Sequence, residues 1–326
     1  MNNFICHLCL LIKPANDKVP LYCRIFIAVL NIFITPFILI YYSCTIYLIP
    51  CVTVTISSCL NRCLFSRCLL FIDKEFLPNN QALGNLEANI KDIQWIRLQD
   101  MVKKDDTYKN AVIFDDSISA EDVCQGALGD CYLLAAFATL CERKVFIQNC
   151  FLTTTYNPYG KYKLRFYDLK AKRYVAITID DYIPCNNNKK PIFTKFNGHE
   201  MWPLLLEKAY AKFKGNYHNI EKGNPLVALK ELTGFEGEQF IGGFNEEFFK
   251  KLQRYSNYGA LMTASSKGKD NTKQQHDNGV VLKSSIVPGH AYSILDIKTP
   301  MLTTSRIYLL KLRNPWYSSY GTLYLL

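Results

Sequence analysis

Between Arg24 and Arg62 the chain runs for 37 residues without an Asp, Glu, Lys or Arg. The run is rich in Ile, Leu, Phe and Tyr, and a helix needs only ~20 such residues to cross the hydrocarbon of a bilayer. It divides the chain into two physically different parts. Residues 1–70 are expected to form a hydrophobic N-terminal segment with one or two membrane spans within about 25–61. Pro36 and Pro50 would kink or end helices there, and a break near Ser43 would suit a tight hairpin. Lys13, Lys18 and Arg24 flank one side and Arg62, Arg67 and Lys74 the other, so the positive charges orient no single span. A hairpin with both ends in the cytoplasm satisfies both flanks. The run is too long for the core of a secretory signal. Residues 1–70 also fit a translated upstream region with no membrane role, which would leave the protein cytoplasmic.

Cysteine usage agrees with a reducing compartment. Eight of the 13 cysteines lie in residues 1–70, where no disulfide framework would cluster, and Cys6-x-x-Cys9 has no second Cys/His pair at zinc-ligand distance. The formal net charge of +10 comes from 38 scattered Lys and Arg, without a basic stripe interleaved with aromatics, so nucleic acid is not an expected partner.

From Phe71 onward polar turns separate amphipathic and alternating runs. Leu133–Leu140 is apolar nearly all round, as a core helix would be. Tyr162–Tyr167 and Tyr174–Ile179 carry the aromatic and β-branched content of strands. PLLLEKAYAKF (203–213) is a helix with proline in its first turn. Asn224-Pro225 opens another that Gly234 closes, and Asn245 caps a third, NEEFFKKLQRY. Ser265–Asn278 is polar and reads as a loop. Ala291–Ile297 and Arg306–Leu312 are strand-like. The order, helical first and β-rich later, gives an α+β class with two lobes and a cleft between them.

Chemistry concentrates at QGALGDCYLLAAFATLCER, residues 125–143. Cys131 stands at a helix start, where unbonded N–H groups favour the thiolate. The Gln125 amide and the Cys131 N–H together could bind an oxygen that gains negative charge during acyl transfer. Taken alone, this position favours a buried structural cysteine, because free Cys is among the most buried residue types. A nucleophile also needs a base. Of five histidines, His7, His199, His218 and His276 fall in the tail, before a helix, among polar residues and in the loop, which leaves His290 in PGHAYSILDI at a turn before a strand. Asn314 in LLKLRNPWYSS could orient its ring, Trp316 could shield that bond from water, and Arg313 is expected on the exposed rim.

These residues resemble a family. Gln125-x₅-Cys131 within GDC-aromatic-LLAA, then Gly289-His290-Ala291, then Arg313-Asn314-Pro315-Trp316, are similar to the catalytic core of the calpains, calcium-dependent cytoplasmic cysteine endopeptidases. FIDKEFLPNNQALG, IQWIRLQDM, AEDVCQGALGDC, DDYIPCNNNKK, HEMWPLLLEKAYAKFKGNY and LTGF follow in calpain order, so the likeness covers roughly Phe71 to Trp316. It implies a papain-like two-lobe protease core: a helical lobe, 71–222, with Cys131, and a β-rich lobe, 223–326, with His290 and Asn314. It implies Cys131, His290 and Asn314 as catalytic residues, Gln125 in the oxyanion hole, and Trp316 and Tyr132 as active-site aromatics, although the family usually has Trp at the latter position.

The resemblance further implies calcium in the first lobe only and no organic cofactor. Asp122 and Glu200 match the carboxylate ligands, with backbone carbonyls of Asp115 and Ser117 completing a hard-oxygen shell. In the second lobe, Tyr317, Ser318, Ser319 and Tyr320 stand where the family is acidic. The expected partners are protein substrates and, through the N-terminal segment, a membrane, with the protease domain facing the cytoplasm. Because the sequence ends at Leu326, short of the last strands of the β lobe, a catalytically impaired binding or regulatory protein is the alternative.

Overall fold

The computed structural model describes residues 70–86, 92–104, 112–115, 118–195, 200–242, 245–268, 286–298, 308–316 and 322–325. The chain divides into two units, Met1–Leu69 and Leu70–Leu326, and all described residues belong to the second. The spans expected within 25–61 thus lie outside the described residues, as do Ser117 and most of the polar stretch from Ser265 to Asn278. Among the described residues no helix is long and apolar enough to cross a membrane.

The helical half contains α1 (Asn80–Leu83), β1 (Gln94–Arg97), α2 (Leu98–Lys104), α3 (Cys131–Cys141), α4 (Lys144–Asn149), β2 (Lys161–Asp168), β3 (Arg173–Asp180), β4 (Tyr182–Cys185), α5 (Trp202–Lys214) and α6 (Pro225–Thr233). The β-rich half contains α7 (Glu246–Asn257), β5 (Met262–Ser265), β6 (Ala291–Lys298), β7 (Leu309–Arg313) and β8 (Thr322–Leu325).

Helix α3 is the axis of the larger core. Each of its 11 residues is buried, as a sequence apolar on every face requires, and the hydroxyl of its threonine is bonded within the helix, Thr139 Oγ1 donating to Ala135 O at 2.8 Å. Packed around it are α5, entered through Pro203, and α6, whose Asn224 cap accepts from Leu226 N and whose Gly234 takes the left-handed conformation at φ 71°. Strands β2 and β3 pair antiparallel as a hairpin from Lys161↔Asp180 to Asp168↔Arg173, and β1 pairs with β4. Ala228, Leu229 and Leu232 of α6 belong to this larger core. Through them α6 packs against α3 and β2.

The β-rich half is an antiparallel sheet in the order β5-β6-β7-β8. Tyr292, Ile294, Ile297 and Leu312 make its own small core with Leu252 of α7, a helix capped by Asn245 accepting from Phe248 N at 2.9 Å. The two halves meet where β6 lies on α3. There Ser293 Oγ donates to Ala135 O at 2.9 Å, and Thr139 Oγ1 also reaches Met262 O at 3.3 Å.

Candidate active site

Cys131 is the first residue of α3 and is buried. The segment leading to it is held by main-chain contacts: Ala127 N donates to Ile192 O at 2.8 Å, and Gly126 passes so near residues 192–193 that a Cβ there would stand 1.9 Å from Phe193 O. Only glycine fits that approach. Gln125 is buried, and its Nε2 donates to Leu128 O at 2.8 Å, which fixes the amide with its NH₂ group towards the loop. One N–H of that group remains for another acceptor.

His290 stands immediately before β6 and Asn314 immediately after β7, and the Ser293↔Arg313 register brings the two together. His290 Nε2 lies 2.8 Å from Asn314 Oδ1. That oxygen also accepts from Trp316 N at 3.0 Å, so it is the carbonyl side of the amide and Nε2 must carry the hydrogen. A neutral imidazole in this tautomer has its lone pair on Nδ1. The Trp316 ring lies 4.6 Å from the His290 ring, and the Tyr292 ring packs edge-on against it at 5.0 Å. Burial pushes the Tyr292 hydroxyl up, opposed by the Val287 N–H that donates to it at 2.8 Å. Across the junction Gln125 N donates to Pro315 O at 3.0 Å.

Known proteins share the sequence of this unit. The pattern of the calpain family cysteine proteases matches residues 71–320. The chain belongs to the calpain family. It is 34% identical over 261 residues to the calpain-type cysteine protease ADL1 of Oryza sativa subsp. japonica, a match covering 76% of this chain and 11% of the relative. DEK1 of Arabidopsis thaliana, another calpain-type cysteine protease, is also 34% identical, with 76% of this chain and 11% of the relative covered. For the calpain-1 catalytic subunit of Rattus norvegicus the identity is 29%, over 77% of this chain and 35% of the relative. The chain thus spans about a tenth of the length of the plant relatives and about a third of the rat one.

Two further features of this calpain-family chain differ from expectation. Arg313 is buried rather than on the rim, because its guanidinium turns inward and Nη2 donates to Val123 O at 3.3 Å. Burial lowers its pKa, opposed by Glu121, Cys141, Cys124 and Asp122. Tyr132 is buried in the helical half, its ring against Gly223 and its hydroxyl near Tyr210, so the rings beside His290 are those of Tyr292 and Trp316. Tyr292 was discoverable, since it follows His290 by two on an alternating strand and shares its face.

Two acidic pairs flank the site. Glu200 Oε1 accepts from Asp115 N at 2.5 Å, and burial, together with Asp122, pushes Glu200 up to about 8. Asp122 in turn accepts from Ser119 N at 2.7 Å, and Val112 bridges to Glu200, which aligns these loops. On the other flank, Asp130 precedes Cys131 and is fully buried beside Glu207, which accepts from Thr194 N at 2.9 Å and Thr194 Oγ1 at 2.5 Å. Burial pushes Glu207 up to about 7 and Asp130 well above its ordinary value, with the Glu207 charge adding to the latter. Sequence reasoning missed this pair, although a glutamate amid the apolar residues of PLLLEKAYAKF was a signal for it. His218 pairs with Glu221 at 3.0 Å, while His7, His199 and His276 lie outside the described residues.

Proposed function

We propose that this calpain-family cysteine protease is an endopeptidase acting through Cys131, His290 and Asn314. The single observation that supports it most is the 2.8 Å bond from His290 Nε2 to Asn314 Oδ1, which leaves Nδ1 as the basic nitrogen of the ring. In this reading Nδ1 takes the proton from the Cys131 thiol, and the thiolate attacks the carbonyl carbon of a peptide bond. The oxygen that becomes negative rests between the Cys131 N–H and the remaining Gln125 Nε2–H. As the tetrahedral species collapses, the C–N bond breaks and His290 returns the proton to the departing amine. Water, deprotonated by the same nitrogen, then hydrolyses the thioester and restores the thiol.

Calcium fits the first acidic pair. Burial and the neighbouring Asp122 raise Glu200, a strain that a bound cation would relieve, and oxygen donors of this kind suit calcium. Asp122 and Glu200 would hold the ion with backbone carbonyls of Asp115 and Ser117, and the ion would supply charge that fixes the loop leading to Gln125. The 37 uncharged residues before Arg62 support a membrane tether, with the protease unit in the cytoplasm.

The test is labelling of the full chain with an epoxysuccinyl thiol probe, with and without calcium, against Cys131→Ala. Labelling of wild type alone is expected, stronger with calcium and weakened by Asp122→Asn. Absence of labelling in millimolar calcium sinks the protease reading, and labelling indifferent to a chelator removes calcium from it. Release of the expressed protein by alkaline carbonate would rule out the tether.

A further inference from the structure

We propose that Arg313 is a positioning residue, which fixes the His290–Asn314 pair against the Cys131 side of the site by tying the end of β7 to the main chain ahead of Gln125. The proposal rests on the protease reading above. Arg313 and Pro315 flank Asn314, and both are bonded to the same short segment of the helical half: Arg313 Nη2 to Val123 O at 3.3 Å, and Pro315 O to Gln125 N at 3.0 Å. The cross-strand neighbour of Arg313, Ser293, is bonded to Ala135 O of α3 at 2.9 Å. His290 and Asn314 therefore sit at a corner of the sheet pinned on one side to α3 and on the other to residues 123–125. Release of the Arg313 pin would let that corner slide along the helical half, moving the imidazole relative to the thiol while leaving the His290–Asn314 bond itself available.

The cost of the arrangement argues for a role beyond packing. Arg313 is only 7% exposed, and its Nε is buried with no hydrogen-bond partner. A well-packed apolar residue would serve stability at least as well as a buried, incompletely bonded cation. What an apolar residue cannot supply is a donor that reaches a carbonyl of the opposite half. The acids Glu121 and Asp122 partly offset the charge.

The experiment uses the full chain and three variants: Arg313→Met, Arg313→Lys and His290→Gln. The limiting rate of Cys131 labelling by the epoxysuccinyl probe should fall about 10²-fold in Arg313→Met, the scale of a misplacement near 1 Å. The probe concentration for half-maximal rate should change by less than about twofold, since the loss is in reaction rather than in binding. Arg313→Lys, which keeps a charged donor of similar length, should recover most of the rate. In parallel, ¹⁵N-histidine spectra, with His290 assigned through His290→Gln, should show its Nε2–H signals shifted in Arg313→Met and near wild type in Arg313→Lys. A folded Arg313→Met with wild-type rate overturns the proposal, as does a rate loss matched by the unfolded fraction in circular dichroism and unrelieved by lysine. If wild type is not labelled at all, the protease reading fails. The His290 spectra then decide the positioning role by themselves: unshifted signals in Arg313→Met overturn it, and shifted signals restored by lysine uphold it.

Discussion

Asn314 Oδ1 receives two hydrogens, one from His290 Nε2 at 2.8 Å and one from the backbone N–H of Trp316 at 3.0 Å. The second bond locks the amide so that only its oxygen can face the imidazole. The ring is thereby held in one tautomer before any substrate arrives. Asn314→Ala should slow thiol labelling of Cys131 by about 10²-fold, the lower end of what a positioned acid–base group contributes. Asn314→Asp, which keeps an acceptor at that position, should lose less. Pseudo-first-order labelling rates across pH 5–9 provide the check.

Gln125 is predicted to act on the reaction more than on binding. Its free N–H meets an oxygen that carries charge only in the transition state. Gln125→Ala should therefore lower kcat on an unfolded protein substrate by about 10²–10³-fold with little change in KM. An equal loss in KM would assign the amide to ground-state binding.

Gly126 is predicted to be irreplaceable for steric reasons. A Cβ would stand 1.9 Å from Phe193 O and 2.3 Å from Ile192 O, and both are main-chain atoms that cannot swing aside. Gly126→Ala should destabilise the protease unit by about 2 kcal/mol or more, in the range of severe packing defects. Urea unfolding followed by circular dichroism would measure it.

The buried pair Asp130–Glu207 predicts a pH dependence of stability. Burial pushes Glu207 up to about 7 in the folded chain against an ordinary value of 4.5, and Asp130 is raised as well. The folded state therefore binds a proton that the unfolded chain has released, so stability falls as pH rises from about 4.5 through 7. The cost is absent below that window and complete for Glu207 above it. Glu207→Gln should flatten the decline in Tm between pH 5 and 8, and an unchanged slope would contradict the pairing.

Much of this organisation was written locally. Asn224, Gly234 and Asn245 cap the helices they were expected to cap, since the information lies within four residues of each end. The α3 sequence could only be a core helix, and the two strands of the 161–180 hairpin carry a strand's residues throughout. The misreadings share a different physical origin. Arg313 was expected at the rim because a cation at a strand end usually is, yet its acceptor is a carbonyl 190 residues away, invisible to any local pattern. Tyr132 was assigned to the site by resemblance to the family's usual Trp at that position, yet its ring turns against Gly223 and the rings beside His290 are those of Tyr292 and Trp316.

The hydrogen bonds named between the two halves end on main-chain carbonyls: Val123 O, Ala135 O, Met262 O and Pro315 O. A joint whose acceptors are carbonyls depends little on which side chains those acceptor residues bear. Substitutions at Val123, Ala135 and Met262 that preserve backbone and volume can accumulate without unfastening it. The constraint on such a seam therefore falls on its side-chain donors, Arg313, Ser293 and Thr139, and not on the residues that receive their hydrogens.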